Sequence, residues 1–315
     1  MDSGNASASA PESSQRGGSH SLSDSPDSTK IGTTNDSADS SRTTAEMPVE
    51  SSSVYYNMSH KRRGLAIVIS YSKFHASLKL TPRPCASHDA DLCRASLEQL
   101  GYEVRTHLEN PKKDELLNIL KEASQYDHSD CDSLIAVFMS HGKRDKISNK
   151  EYVYAWDGEV LTSQLWENFT AENCPTLAGK PKMFFIQACR GKEGDVGVLL
   201  TKTKTTSVTD HVTIQSKKEY LIPLCTDMLI MWATYPGTYS FRSTRNSGRE
   251  ASVFIYFLTK ILDKDGGEED LASMLLSVTR LVGIQYESYS PDEDKNNKKQ
   301  MPYTMSTLMK KIKFF

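Results

Sequence analysis

Cys189 and His141 have the residue types and the setting that nucleophilic chemistry requires. Cys189 stands in Gln187-Ala188-Cys189-Arg190-Gly191, directly after the apolar run Met183-Phe184-Phe185-Ile186. His141 stands in Ser140-His141-Gly142, directly after Leu134-Ile135-Ala136-Val137-Phe138-Met139. A lone cysteine is mostly protonated at neutral pH, so it needs a base within reach, and that base can later protonate a leaving amine. A tetrahedral intermediate needs N–H donors for its oxyanion. The backbone N–H groups of Gly142 and Cys189 are the natural pair, with glycine leaving room for close approach. The chemistry these residues point to is acyl transfer through a thiolate.

The elements around the motifs must deliver both residues to one place. Gly64–Ser70, Leu134–Met139, the run ending at Cys189, and Met228–Ala233 are continuous apolar stretches of strand length, the pattern of strands buried on both faces of a parallel sheet. Helical spacing runs from Ser87 to Leu100 with Gly101 as its cap. Tyr102–Leu108 alternates like a more exposed strand, and Pro111 opens a second helix through Leu116, Leu117, Ile119 and Leu120. A polar stretch follows Gly142, then a short helix near Ser163–Phe169. Periodicity is lost from Gly191 to Tyr220; two amphipathic helices follow, near Ser252–Leu262 and Glu268–Tyr286. Pro291–Lys299 reads as a loop and Met301–Leu308 as a last strand. No internal repeat is present. Strands alternating with helices predict an α/β sheet covered on both faces, with reacting residues at the carboxyl ends of its strands.

Gln-Ala-Cys-Arg-Gly with a histidine about fifty residues upstream resembles the signature of the caspases, which are aspartate-directed cysteine proteases. The resemblance implies a central six-stranded, mostly parallel sheet with helices on both faces, assembling as a dimer of large and small subunit pairs. It makes Cys189 the nucleophile, His141 its base, Gly142 an oxyanion N–H, and the carbonyl of Thr81 a weak orienter of His141. A small carboxylate is best held by the forked donors of guanidinium groups. By the resemblance, Arg83 in Thr81-Pro82-Arg83, Gln187 and Arg242 form that pocket. Tyr239-Ser240-Phe241-Arg242 is similar to the family's Tyr-Ser-Trp-Arg, with Tyr239 and Phe241 walling the neighbouring P2 pocket. Loss of Arg83 or Arg242 is expected to abolish cleavage after Asp with the fold kept, since an uncharged residue would leave two cations unpaired. The sequence departs from the pattern where the connection from Arg242 to Val253 is long, where Val253 replaces a tryptophan of the outer subsites, and where Tyr286–Lys299 lacks the aromatic residue common in some relatives, which leaves the P4 preference open.

Family members resembling this chain are cut after aspartates into two subunits. The expected domains are a Ser/Thr-rich tail over 1–53 and a catalytic domain over 54–315. The latter divides into a large subunit over about 54–195, a linker over 196–219 and a small subunit over 220–315. Ser207-Val208-Thr209-Asp210 is the best internal cleavage site, with Asp195 second in the same stretch and Asp36 and Asp39, beside Asp24 and Asp27, in the tail. The tail is too short and polar for a helical recruitment domain, so the analogy implies an executioner-type enzyme of apoptosis. Implied partners are protein substrates with P1 Asp, a second copy of the chain paired through its last strand, an upstream activating caspase and an inhibitor-of-apoptosis protein.

Composition narrows the rest. Residues 1–53 carry almost no large apolar side chain and read as disordered, whereas the remaining length suffices for one core. A net charge of -2 gives no basic excess for nucleic acid or an anionic membrane. No stretch is apolar enough for a membrane span or signal peptide, so a cytoplasmic location is expected. The six cysteines lack paired spacing, so no metal and no cofactor are expected. A catalytically silent homologue serving as a scaffold, a basic-specific relative of the metacaspase or paracaspase type, and a redox or metal protein are the alternatives. Retention of Cys189, His141, Gln187, Arg83 and Arg242 argues against the first two, and the cysteine spacing against the third.

Overall fold

Strict alternation along each apolar strand sends neighbouring side chains to opposite faces of one sheet, and each face builds its own core. The computed structural model describes residues 43–197, 222–243 and 251–315. In chain order these contain β1 (Arg62–Ser70), α1 (Ala86–Gln99), β2 (Glu103–His107), α2 (Lys113–Gln125), β3 (Cys131–Met139), β4 (Gly142–Arg144), β5 (Glu151–Tyr154) and β6 (Glu159–Leu161). They continue with β7 (Lys182–Gln187), β8 (Gly191–Glu193), β9 (Met228–Trp232), β10 (Gly237–Thr238), β11 (Arg242–Ser243), β12 (Ala251–Ser252), α3 (Val253–Asp265), α4 (Leu271–Gln285) and β13 (Tyr303–Ser306).

The central sheet has six strands in the order β13-β9-β7-β3-β1-β2. All are parallel except β13, which runs antiparallel to β9. Ala66, Val68, Ile135, Val137, Met183 and Phe185 face α1, α3 and α4, while Leu65, Ile67, Leu134, Phe138, Phe184 and Ile186 face α2 and the β5–β6 hairpin. Each such side chain contributes about 1.5–3 kcal/mol on burial. A one-residue slip of any central strand would exchange its contributions to the two cores. Gly64 permits the tight join of β1 to β3, because a β-carbon there would lie 1.9 Å from the Ser133 carbonyl oxygen. Asp270 caps α4 by accepting from the N–H groups of Ala272 and Ser273.

Four boundaries differ from the sequence expectation. Pro111 lies outside α2, whose first turn starts at Lys113 with Lys112 as its cap. The polar stretch after Gly142 holds a three-stranded β4-β5-β6 sheet. Ser163–Phe169 forms two 3-10 turns, Thr162–Leu165 and Glu167–Phe169, interrupted by the non-helical backbone of Trp166. The compact unit begins at Thr43, within the stretch assigned above to the tail, and Lys310 Nζ donates to the carbonyls of Glu50, Ser51 and Ser53.

Candidate active site

β3 and β7 are adjacent and parallel, with Met139 opposite Gln187. The N–H of Ser140 donates to Gln187 O at 3.0 Å, so the two chains leave the sheet side by side and present His141 and Cys189 at the same end. The β4–β5 hairpin fixes the exit of β3: the Tyr154 N–H donates to His141 O at 3.0 Å, and Ser140 Oγ donates to Tyr154 O at 2.6 Å. Gly142 packs directly on the Cys189 backbone, since a β-carbon there would sit 2.4 Å from the Cys189 carbonyl oxygen. His141 Nε2 lies 2.8 Å from Thr81 O. A carbonyl only accepts, so in this contact Nε2 carries the hydrogen, and in the neutral ring Nδ1 is the acceptor. The Phe74 ring, 5.1 Å from the imidazole, backs it from the other side.

Cys189 is half-buried at the mouth of the site. Its Sγ accepts from the Ser240 N–H at 3.3 Å and lies 3.6 Å from Ser240 O. Burial pushes the thiols of Cys93, Cys131 and Cys174 up, which keeps them protonated and unreactive.

Arg83 and Gln187 border the same mouth. Arg83 is buried, donates through Nη1 to Tyr71 O at 2.8 Å and Met139 O at 3.0 Å, and sets Nη2 3.5 Å from the Asp89 carboxylate. Asp89 in turn accepts from the N–H and hydroxyl of Ser252, at 2.8 and 2.6 Å. Gln187 Nε2 donates to Ser240 Oγ at 2.6 Å. Tyr239 and Phe241 form an aromatic wall with centroids 5.9 Å apart. Tyr286 continues that wall, its ring 5.8 Å from Phe241. Val253 is fully buried at the start of α3 and offers no surface to an outer subsite. The backbone of Arg242 pairs with Ser252 across β11 and β12.

Three residues absent from the sequence reading complete the site. Asp89 and Gln300 are buried polar side chains, at 0% and 1% exposure. Glu151 forms a forked ion pair with Arg190, the residue after Cys189. Asp195 is exposed, and its carbonyl accepts from Lys299 N–H at 2.8 Å. Asp210, Asp36, Asp39, Asp24 and Asp27 lie outside the described residues.

Residues 63–313 match the family model described as the caspase domain. The chain belongs to the caspase family. It is 35% identical to "Caspase-1" of Spodoptera frugiperda over 271 residues, 86% of this chain and 84% of that one. It is 34% identical to "Caspase drICE" of Drosophila melanogaster over 271 residues, 86% and 75% of the two chains. Against "Caspase-7" of Gallus gallus the figure is 33% over 259 residues, covering 82% and 79%. The crystal structure of Caspase-1 from Spodoptera frugiperda superposes with a TM-score of 0.75 at 34% identity, covering 86% of this chain and 99% of that one. This caspase is therefore a cysteine endopeptidase of the caspase type, and its six-stranded sheet has the arrangement expected from the sequence.

Proposed function

We propose that this caspase cleaves protein chains after aspartate, with Cys189 as nucleophile and His141 as the proton carrier. The observation that carries the reading is the emergence of both residues from paired strand ends, with Gly142 packed on the Cys189 carbonyl. Thiolate attack on the scissile carbonyl places an oxyanion before the N–H groups of Gly142 and Cys189. His141 protonates the leaving amine through Nδ1, while the Thr81 carbonyl keeps the ring turned. Water then attacks the thioester, and Cys189 returns as the leaving group.

Arg83, Gln187 and Arg242 receive the P1 carboxylate, and Tyr239 and Phe241 wall P2. In the uncut chain Ser240 hydrogen-bonds both to the Gln187 amide and to the Cys189 thiol. A substrate must displace the first contact and take over the second. This supports a zymogen whose Tyr239–Phe241 segment shifts on activation by cutting after Asp210, with Asp195 as the second site. The active form pairs two copies through β13, an upstream caspase makes the cut, an inhibitor-of-apoptosis protein is a candidate regulator, and the setting is execution of apoptosis in the cytoplasm.

The test is mass spectrometry of the chain beside its Cys189→Ala variant, with and without a trace of an active aspartate-directed protease. The expected result is cutting at Asp210 in both and cleavage of Asp-containing peptides by the wild type alone. Cutting at Asp210 with no Cys189-dependent activity would make the chain a silent scaffold.

A further inference from the structure

We propose that Gln300 is a positioning residue of the substrate pocket: its side-chain amide holds the Tyr239–Phe241 segment in register with Cys189. The inference rests on the protease reading above and names a residue that reading does not use. Tyr239, Ser240 and Phe241 lie between β10 and β11 and belong to no strand; in place of a ladder they have single backbone bonds, Tyr239 N–H to Glu193 O at 3.3 Å and Val253 N–H to Phe241 O at 3.2 Å, and the Phe241 N–H has no backbone acceptor among these. Gln300 supplies a substitute. Its Oε1 accepts from Phe241 N–H at 2.7 Å, and its Nε2 donates to Ala233 O at 2.8 Å. Ala233 directly follows β9, and its own N–H donates to Ile186 O at 2.9 Å, three residues before Cys189. One side chain thus ties the pocket wall to the strand that carries the nucleophile.

Both ends of the amide are matched, and the side chain is shut off from water at 1% exposure. Exchanging its oxygen and nitrogen would set two donors and two acceptors against each other, so the orientation is fixed. Losing the amide would strand the Phe241 N–H and loosen the Phe241 end of the segment, whose Tyr239 and Ser240 end is held by the Thr234 hydroxyl on Tyr239 O and by Gln187 Nε2 on Ser240 Oγ. Gln300 touches neither the thiol nor the imidazole in any of these contacts. Its effect should therefore fall mainly on substrate binding and reach Cys189 only through the Ser240 N–H that donates to its Sγ.

A glutamate at this position makes a sharp test. Protonated, it can accept from Phe241 N–H and donate to Ala233 O; ionised, it turns a carboxylate oxygen toward that carbonyl. Full-length wild type, Gln300→Glu and the isosteric Gln300→Met are activated with a trace of an active aspartate-directed protease. Cleavage of a fluorogenic Asp tetrapeptide is then followed from pH 5.5 to 8, with iodoacetamide alkylation of Cys189 in parallel. Cys189 and His141 titrate in every variant and Asp195 and Lys299 flank the site, so the readout is the ratio to wild type at each pH. Expected are a rise in KM of about tenfold or more for Gln300→Met at all pH values, and a Gln300→Glu ratio that recovers toward one as pH falls. Alkylation rates should change by far less than KM, through the Ser240 N–H alone. Wild-type KM in both variants overturns the inference, as does a pH-independent loss of kcat that tracks a lower melting temperature, or alkylation slowed as much as peptide cleavage. A wild type that is cut but inactive on Asp peptides instead overturns the protease reading.

Discussion

Arg190 and Glu151 form a two-pronged ion pair, Nε to Oε1 at 2.9 Å and Nη2 to Oε2 at 2.6 Å, one residue beyond the nucleophile. The guanidinium also lies over the rings of Trp232 and Tyr303, with centroids 4.4 and 5.1 Å away. It therefore joins the Cys189 loop to β9 and to the edge strand β13. Glu151→Gln keeps the volume and removes the charge, leaving a nearly buried cation without its partner. Loss of one member of a buried pair costs about 3–5 kcal/mol, and the 15% exposure of Glu151 places this site at the low end. The expected outcome is a Tm lower by about 6–12 °C together with reduced kcat, read by thermal melting and peptide cleavage. An unchanged Tm would show that the pair is only a surface contact.

Gly142→Ala should lower activity sharply and cost about 1–3 kcal/mol of stability as well. The added methyl would begin 2.4 Å from the Cys189 carbonyl oxygen and 3.1 Å from Tyr152 O, both backbone atoms. The chain must move, and it moves where the proposed mechanism has its oxyanion N–H groups. Misplacing one such donor costs about 10²–10³ in kcat. Steady-state kinetics should show that fall with KM close to wild type, and a variant within threefold of wild type would remove Gly142 from the oxyanion site.

Arg83 has structural duties that its motif does not reveal. Arg83→Ala uncovers the buried carbonyls of Tyr71 and Met139 and the Asp89 carboxylate. The expectation of lost activity with an untouched fold is therefore revised: both Tm and cleavage should fall, by about 3 kcal/mol or more in stability. Asp89→Ala separates the two effects. It strips Ser252 of both hydrogen bonds and lets Arg83 shift, so KM should rise while kcat changes little, because Cys189 and His141 sit on other strands. Parallel melts and Michaelis curves for the two variants decide this.

The legible part of the site was local in sequence. His141 and Cys189 each follow an apolar run, and a buried strand that ends in a polar tip can be read without knowing its neighbours. The register that puts Met139 opposite Gln187 is not local, and no spacing encodes it. Gln300 sits in Lys298-Lys299-Gln300-Met301, where nothing separates a buried bridge from a solvated loop. Asp89 did carry a signal, being a charge on the helical face of Ala86, Ala90, Cys93 and Leu97. The β5–β6 hairpin escaped because only Val153 and Val160 of its strands are buried, although Asp157-Gly158 between them is a turn dipeptide.

Lys182 ties stability to pH at the opposite end of β7. It has no exposed surface, and its Nζ donates to Leu177 O at 3.2 Å and Lys180 O at 3.0 Å. Burial pulls its pKa down to about 8, against the pull of the nearby Asp227 carboxylate. An unfolded lysine titrates near 10.4, so between about pH 8 and 10 the unfolded chain binds more protons than the native one. Under that condition native stability rises with pH. Buried Tyr56, Tyr71 and Tyr102, whose pKa values are pushed up, act in the other direction as the unfolded chain's tyrosines ionise above about pH 9.5. The contribution of Lys182 is therefore read against Lys182→Met, which carries the same tyrosines and no amine. Urea denaturation at pH 8, 8.75 and 9.5 should show the wild type gaining about 1.5 kcal/mol on the variant between pH 8 and 9.5. Parallel stability curves for the two proteins would mean that the Lys182 amine keeps an ordinary pKa in the folded chain.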